Sequence, residues 1–220
     1  MKSGEFALRS IHFALIGVLS ALALLPQAGP MEPWQVYGVR DDEFELLTKL
    51  SPSAHIPCLP PALPSDLPSS WQVTATAFAD VTDDEVSEWV LLVWRPWKDW
   101  PIQEWSSAPS PIAGFHDRKG ESCHLIVIDP VDGDEIWAGS ALPRPLTALA
   151  VGDVDGDGNN EVTTLEGDYD RGRNGPASHI DVWQWNGFGF SLEWRSSRGS
   201  FYSLVLTDVD GDGTPEVAVR

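Results

Sequence analysis

Two nine-residue stretches decide how this chain is read: Asp153-Val-Asp155-Gly-Asp157-Gly-Asn159-Asn-Glu161 and Asp208-Val-Asp210-Gly-Asp212-Gly-Thr214-Pro-Glu216. Each sets carboxylates at positions 1, 3, 5 and 9, with glycine at 4 and 6. Each follows an apolar, β-prone run (Leu149-Ala-Val151; Leu204-Val-Leu206) and precedes another (Val162-Thr-Thr-Leu165; Val217-Ala-Val219). The pattern is strand, tight acidic turn, strand. Glycine permits the positive-φ backbone that lets such a turn wrap tightly. Carboxylates gathered this closely repel one another unless a cation sits among them.

Outward from these stretches, the same grammar repeats. The two loops lie 55 residues apart, and a third copy stands 73 residues before the first. It reads Asp80-Val-Thr82-Asp-Asp84-Glu-Val-Ser-Glu88, with Asp, Thr, Asp and Glu at positions 1, 3, 5 and 9 but neither glycine. Its flanks, Val73–Phe78 and Trp89–Trp94, again read as strands. A second element also recurs: Val182–Trp194, with a turn near Asn186-Gly187, aligns without gaps to Val36–Thr48, and Leu125–Trp137 occupies the same place between the acidic loops. The expected order is outer hairpin (34–49), inner hairpin with acidic loop (72–95), outer hairpin (123–139), inner (146–166), outer (179–195) and inner (202–220). Four strands per unit at this period is the pattern of propeller blades. The expected fold is all-β, built of propeller-type blades of four antiparallel strands. About three blades are present, the set being incomplete as a ring. The outer hairpin at 34–49 could complete the last unit, which otherwise holds only its inner pair. Propellers typically need at least four blades. Further blades from a longer chain, or pairing with another subunit, would supply the rest.

The remaining segments set the organisation. Lys2 and Arg9 precede an apolar run from Ile11 to Leu25, and Pro26 and Pro30 break it, so residues 1–29 read as an export signal or N-terminal anchor. Residues 30–50 hold the first hairpin. Residues 51–70 carry six prolines and form an extended connector. Residues 71–220 carry the repeats. Removing 1–29 takes away Lys2, Arg9 and Glu5, so the net charge of −19 becomes −20. So acidic a chain repels nucleic acid and anionic lipid and attracts cations, leaving an uncleaved N-terminal segment as the only route to a membrane. The compartment is expected to be extracytoplasmic: secreted, periplasmic or cell surface.

The acidic loops resemble the calcium loops of FG-GAP/VCBS repeats, the integrin-α-type β-propeller family. The resemblance covers roughly residues 72–220, and more weakly 34–50. It implies Ca2+ bound through Asp153, Asp155, Asp157, Asn159 (backbone) and Glu161, and through Asp208, Asp210, Asp212, Thr214 (backbone) and Glu216. Asp80, Thr82, Asp84 and Glu88 form a weaker candidate set. The Gly-Ala-Pro of the family is absent after the second strand, where Thr164-Leu-Glu-Gly167 stands. Donor chemistry agrees with calcium independently: all candidate ligands are oxygens, on an adaptable loop, and no His or Cys is among them.

Other features carry less. Five strand tryptophans (Trp89, Trp94, Trp137, Trp183, Trp185) are expected to pack between blades. The insert around Trp97, Trp100 and Trp105 reads either as a flap over its own blade or as a surface for sugar or protein. Cys58 and Cys123 allow one bridge, and the sequence leaves their pairing open. No Gly-x-Ser-x-Gly, His-Glu-x-x-His or phosphate loop is present. The expectation is an exported calcium-binding repeat module with a protein or glycan partner. A polysaccharide-active enzyme or a lectin using the tryptophan insert is the alternative.

Overall fold

The computed structural model describes residues 32–40, 43–51, 67–96 and 115–220. The expected export segment, most of the proline-rich connector, Cys58, Trp97, Trp100 and Trp105 lie outside the described residues. Within them the chain is all-β apart from one 3-10 turn at Tyr169–Arg171. No helix among the described residues is long and apolar enough to cross a membrane.

Strands β1 (Trp34–Arg40) and β2 (Glu43–Leu50) form the first hairpin. Strands β3 (Gln72–Ala79), β4 (Glu88–Pro96), β5 (Glu121–Ile128) and β6 (Glu135–Ala138) follow one another across a first sheet. Strands β7 (Leu146–Gly152), β8 (Glu161–Glu166), β9 (His179–Trp185) and β10 (Phe190–Arg195) make a second sheet in the same way. The third sheet has the order β11-β12-β1-β2, with β11 at Leu204–Thr207 and β12 at Glu216–Val219. All neighbours are antiparallel. The N-terminal hairpin therefore completes the C-terminal sheet, through Gln35↔Val219, Val36↔Ala218 and Tyr37↔Val217.

Strand alternation explains the packing. Along β4, Val90, Leu92 and Trp94 point to one face of the first sheet, and Leu91 and Val93 to the other. The first set joins Cys123, Leu125 and Val127 of β5 against Leu146 and Val162 of the second sheet. On its far side the second sheet presents Leu165, Ile180 and Val182 to Leu204, Val217 and Val219 of the third. Strand β8 is buried along its whole length because both its faces are covered. Strand β7 lies against both β3 and β11, so the leading strands of the three sheets are neighbours.

Aromatic side chains follow this arrangement with one exception. Trp137 of the first sheet meets Trp185 and Phe190 of the second edge-on, at centroid distances of 6.4 and 5.3 Å. Trp183 packs against the first inter-sheet core. Trp94 meets Tyr169 edge-on at 5.6 Å, while Arg173 lies 4.6 Å over its face. Trp89 differs from expectation: it stacks on Phe78 of its own sheet and joins the cluster of Leu91, Ile126, Leu67 and Trp71. Its position on β4 has odd parity relative to Val90, which turns it to the opposite face.

The polar loop after β8 is an inter-sheet clasp. Tyr169 Oη donates to the Leu142 carbonyl at 2.8 Å and accepts from the Cys123 amide at 3.1 Å. Arg173 donates to Gln72 and Glu121 of the first sheet. Cys123 is a free thiol in the core, and burial pushes its pKa up to about 12, so it is inert as a nucleophile.

His124 is fully buried beside it. Its Nδ1 lies 3.1 Å from the Gly139 carbonyl and its Nε2 2.8 Å from Ser122 Oγ, which suits a neutral ring that donates through Nδ1. Burial, and then the Arg95 charge, lowers its pKa from 6.5 to about 4. The unfolded chain therefore takes up this proton first. The histidine contribution is complete above about pH 6.5 and is lost as pH falls through 4, a loss on the order of 3 kcal/mol. Urea melts in EDTA at pH 7, 5.5 and 4 are expected to show a shallower acid decline for His124→Gln than for the parent chain.

Candidate metal centre

Each sheet carries one acidic loop between its first two strands: loop 1 (80–88), loop 2 (153–161) and loop 3 (208–216). All three fold by the same backbone-to-carboxylate bonds. The carboxylate at position 1 accepts the amides at positions 4 and 6. In loop 2 these are Gly156 and Gly158 on Asp153 at 2.7 and 3.0 Å. In loop 3 they are Gly211 and Gly213 on Asp208 at 2.6 and 3.1 Å, and in loop 1 Asp83 and Glu85 on Asp80 at 2.9 and 2.8 Å. The position-9 glutamate accepts the position-2 amide in every copy: Val81 to Glu88, Val154 to Glu161 and Val209 to Glu216, at 2.9, 3.0 and 2.7 Å.

Positions 4 and 6 have positive φ throughout. Gly156 and Gly158 sit at 80° and 97°, Gly211 and Gly213 at 84° and 100°. Loop 1 holds the same conformation without glycine, with Asp83 at 61° and Glu85 at 68°. A side chain with Cβ is strained there. Replacing Asp83 and Glu85 together by glycine is expected to raise metal-free stability by about 1 kcal/mol, the strain relieved exceeding the extra chain entropy of glycine. Thermal melts in EDTA would check the sign.

The candidate ligands are brought together only in part. One ligand oxygen each from Asp153, Asp155 and Glu161 lies within 4.8 Å of the others, and the same holds for Asp208, Asp210 and Glu216 and for Asp80, Asp84 and Glu88. Asp157 and Asp212 instead accept the amides of Asn159 and Thr214, at 2.8 Å each. Thr82 Oγ1 donates to Glu88 Oε1 at 2.9 Å, so this side chain serves the glutamate of loop 1.

That last bond separates the loops. Glu161 is wholly buried, and its Oε1 has no hydrogen-bond partner. Loop 1 fills the equivalent need with the Thr82 hydroxyl, whereas loop 2 has a carboxylate, Asp155, at that place. Burial first, then Asp155, Asp157 and Glu193, push the Glu161 pKa up to about 8, against the pull of the Val154 amide. Burial, and then Asp157 and Asp153, also raise Asp155. A buried, unpartnered carboxylate oxygen facing other carboxylates is costly without a cation. The acidic clusters thus have the donor chemistry to bind a metal ion, with loop 2 the most demanding of one.

The loops are also joined. Asn160 donates to the Asp80 carbonyl at 2.7 Å, linking loop 2 to loop 1. A Cβ on Gly156 would stand 3.5 Å from Thr214 Oγ1, so loop 3 packs directly on loop 2. From the β9–β10 hairpin, Gln184 donates to Asp157 at 3.3 Å. Asn160, Gln184 and Glu193 lie outside the nine-residue motif or at its non-ligand positions, and spacing alone does not single them out. A search against protein-family models, curated proteins and solved structures finds no match for this chain.

Proposed function

We propose that this chain is an exported, calcium-stabilised repeat module of the FG-GAP/VCBS type, its three sheets acting as propeller-type blades that display a binding or scaffold surface. The observation that carries the metal reading is the buried Glu161 Oε1, unpartnered beside Asp153 and Asp155. Calcium is favoured among cations because the donors are all oxygens on a loop able to supply many ligands. Magnesium prefers a stricter octahedron and retains its waters, and zinc or copper would select nitrogen and sulfur. The residues that would hold the ion are Asp153, Asp155, Asp157, Asn159 through its carbonyl, and Glu161. Asp208, Asp210, Asp212, Thr214 through its carbonyl, and Glu216 would hold a second. The ion would offset the carboxylate repulsion and tie the first two strands of a sheet together, a structural role. Export is supported by the basic residues and apolar run of segment 1–29.

Calorimetric titration of EDTA-treated protein with calcium chloride tests the reading. The parent chain should give saturable heat, and Asp153→Ala combined with Asp208→Ala should abolish most of it. Unchanged calcium uptake in that double variant would sink the metal assignment.

A further inference from the structure

The outermost strand of each sheet carries a bulge at the same place. In the second sheet Leu192 pairs with Trp183 and Trp194 with Val182, leaving Glu193 unpaired. In the third, Leu46 pairs with Tyr37 and Thr48 with Val36, leaving Leu47 unpaired. In the first, Glu135 pairs with Ile128 and Trp137 with Val127, leaving Ile136 unpaired. These three residues also share one column when the outer hairpins are aligned without gaps. A bulge re-aims its extra side chain relative to the regular strand. In the second and third sheets that residue lines the cleft at the adjoining acidic loop. Glu193 lines a cleft of about 700 Å³ with Asp155, Gly156 and Asp157, walled by Phe44 and Trp194. Leu47 lines the cleft that contains Asp210, Asp212 and Glu216. The partner strand shows the same substitution. Gln184 of β9 bonds Asp157, whereas Gly38 of β1, its counterpart, passes so close that a Cβ would stand 3.0 Å from Glu216 Cγ.

We infer that Glu193 is an outer carboxylate of the loop-2 cation site, held there by the β10 bulge, and that it makes loop 2 the tighter site and the first to fill. The inference rests on the calcium reading above, for which the unpartnered Glu161 Oε1 is the independent sign of a cation. Glu193 lies on β10, outside the grouped oxygens of Asp153, Asp155 and Glu161, and the role assigned to it is to add charge rather than a coordinating oxygen. It is an exposed side chain that shares one cleft with Asp155 and Asp157. The bulge residue of the flanking hairpin is thus acidic beside loop 2 and aliphatic beside loop 3, and the rest of the lining runs the same way, with Glu43 in the loop-2 cleft and Arg40 in the loop-3 cleft.

An exchange of these side chains tests it. With loops 1 and 3 disabled by Asp80→Ala and Asp208→Ala, adding Glu193→Gln is expected to weaken calcium binding about fivefold at low ionic strength, and less in high salt. With loops 1 and 2 disabled by Asp80→Ala and Asp153→Ala, Leu47→Glu is expected to tighten loop 3 by a similar factor. Melting in EDTA confirms that each variant folds. Equal affinities with and without Glu193, or a loss of binding so complete that Glu193 must itself be a ligand, would overturn the proposal. Absence of calcium heat in the unmutated chain would remove the metal reading itself, and this proposal with it.

Discussion

Glu161→Gln is expected to reverse its effect on stability according to whether calcium is present. In EDTA the variant should melt above the parent chain. Above about pH 8, where the carboxyl is ionised, it removes a fully buried charge whose Oε1 is unpartnered, while a glutamine oxygen can still accept the Val154 amide as Glu161 does at 3.0 Å. The new amide group can donate to Asp153 or Asp155, whose oxygens lie within 4.8 Å of Glu161. The gain should be about 1–3 kcal/mol, the range for relieving an unsatisfied buried polar group. With calcium in excess the order inverts. A ligand at a hundred times its dissociation constant stabilises the fold by about 2.7 kcal/mol, and a neutral side chain at position 9 forfeits most of this for loop 2. In a chain of this size each kcal/mol moves the midpoint by roughly 2–4 °C, so the two melting curves should cross clearly. Scanning calorimetry in EDTA and in millimolar calcium decides it. A variant less stable than the parent in both buffers would mean that Glu161 is satisfied by the protein alone.

The repeat was legible because two periodicities coincide. Alternating apolar residues mark the strands, and carboxylates at fixed spacing mark the turns between them, so Val90–Trp94 and Leu149–Leu165 could be placed from pattern alone. The all-β class and the four-stranded units follow from that. Backbone responses were harder to read. Loop 1 lacks glycine, yet Asp83 and Glu85 take positive φ because the Asp80 carboxylate holds both their amides. A single hydrogen-bonding centre there outweighs a local conformational preference, which propensity cannot show. Register is equally silent in sequence: Glu193, Leu47 and Ile136 align in one column, but only the strand pairing makes them bulges. The clasp of Tyr169 and Arg173 lies in a loop whose composition reads as merely polar. Its meaning comes from where the first sheet happens to stand.

Putting a charge at Val36 should be among the most damaging single changes in the chain. Val36 is 1% exposed and pairs with Ala218, which is fully buried. Around it Trp34 and Ala218 form a small core with Leu50 and Val205, and Arg220 lies 4.8 Å over the Trp34 ring. Without β1 the third sheet would be the ribbon β11–β12 alone, and a two-stranded ribbon is marginal in water. Its exposed β12 edge, Glu216–Val219, would be an apolar template for aggregation. The damage should spread, because Val217 and Val219 share a core with Leu165, Ile180 and Val182 of the second sheet. Tyr37 and Phe44 of the same hairpin also meet Trp194, at 5.8 and 5.0 Å. Val36→Lys is therefore expected to cost about 3–5 kcal/mol, as for an uncompensated buried charge, a large part of the stability of a typical domain. Thr48→Lys, at an exposed position opposite Val36 on the same hairpin, should be nearly silent. Urea unfolding followed by tryptophan fluorescence would compare the two, and equal midpoints would show that the hairpin adds little. A single transition that shifts as a whole in Val36→Lys would show more than a local loss. That outcome is expected because β1 pairs with β12, and β12 shares its core with the second sheet.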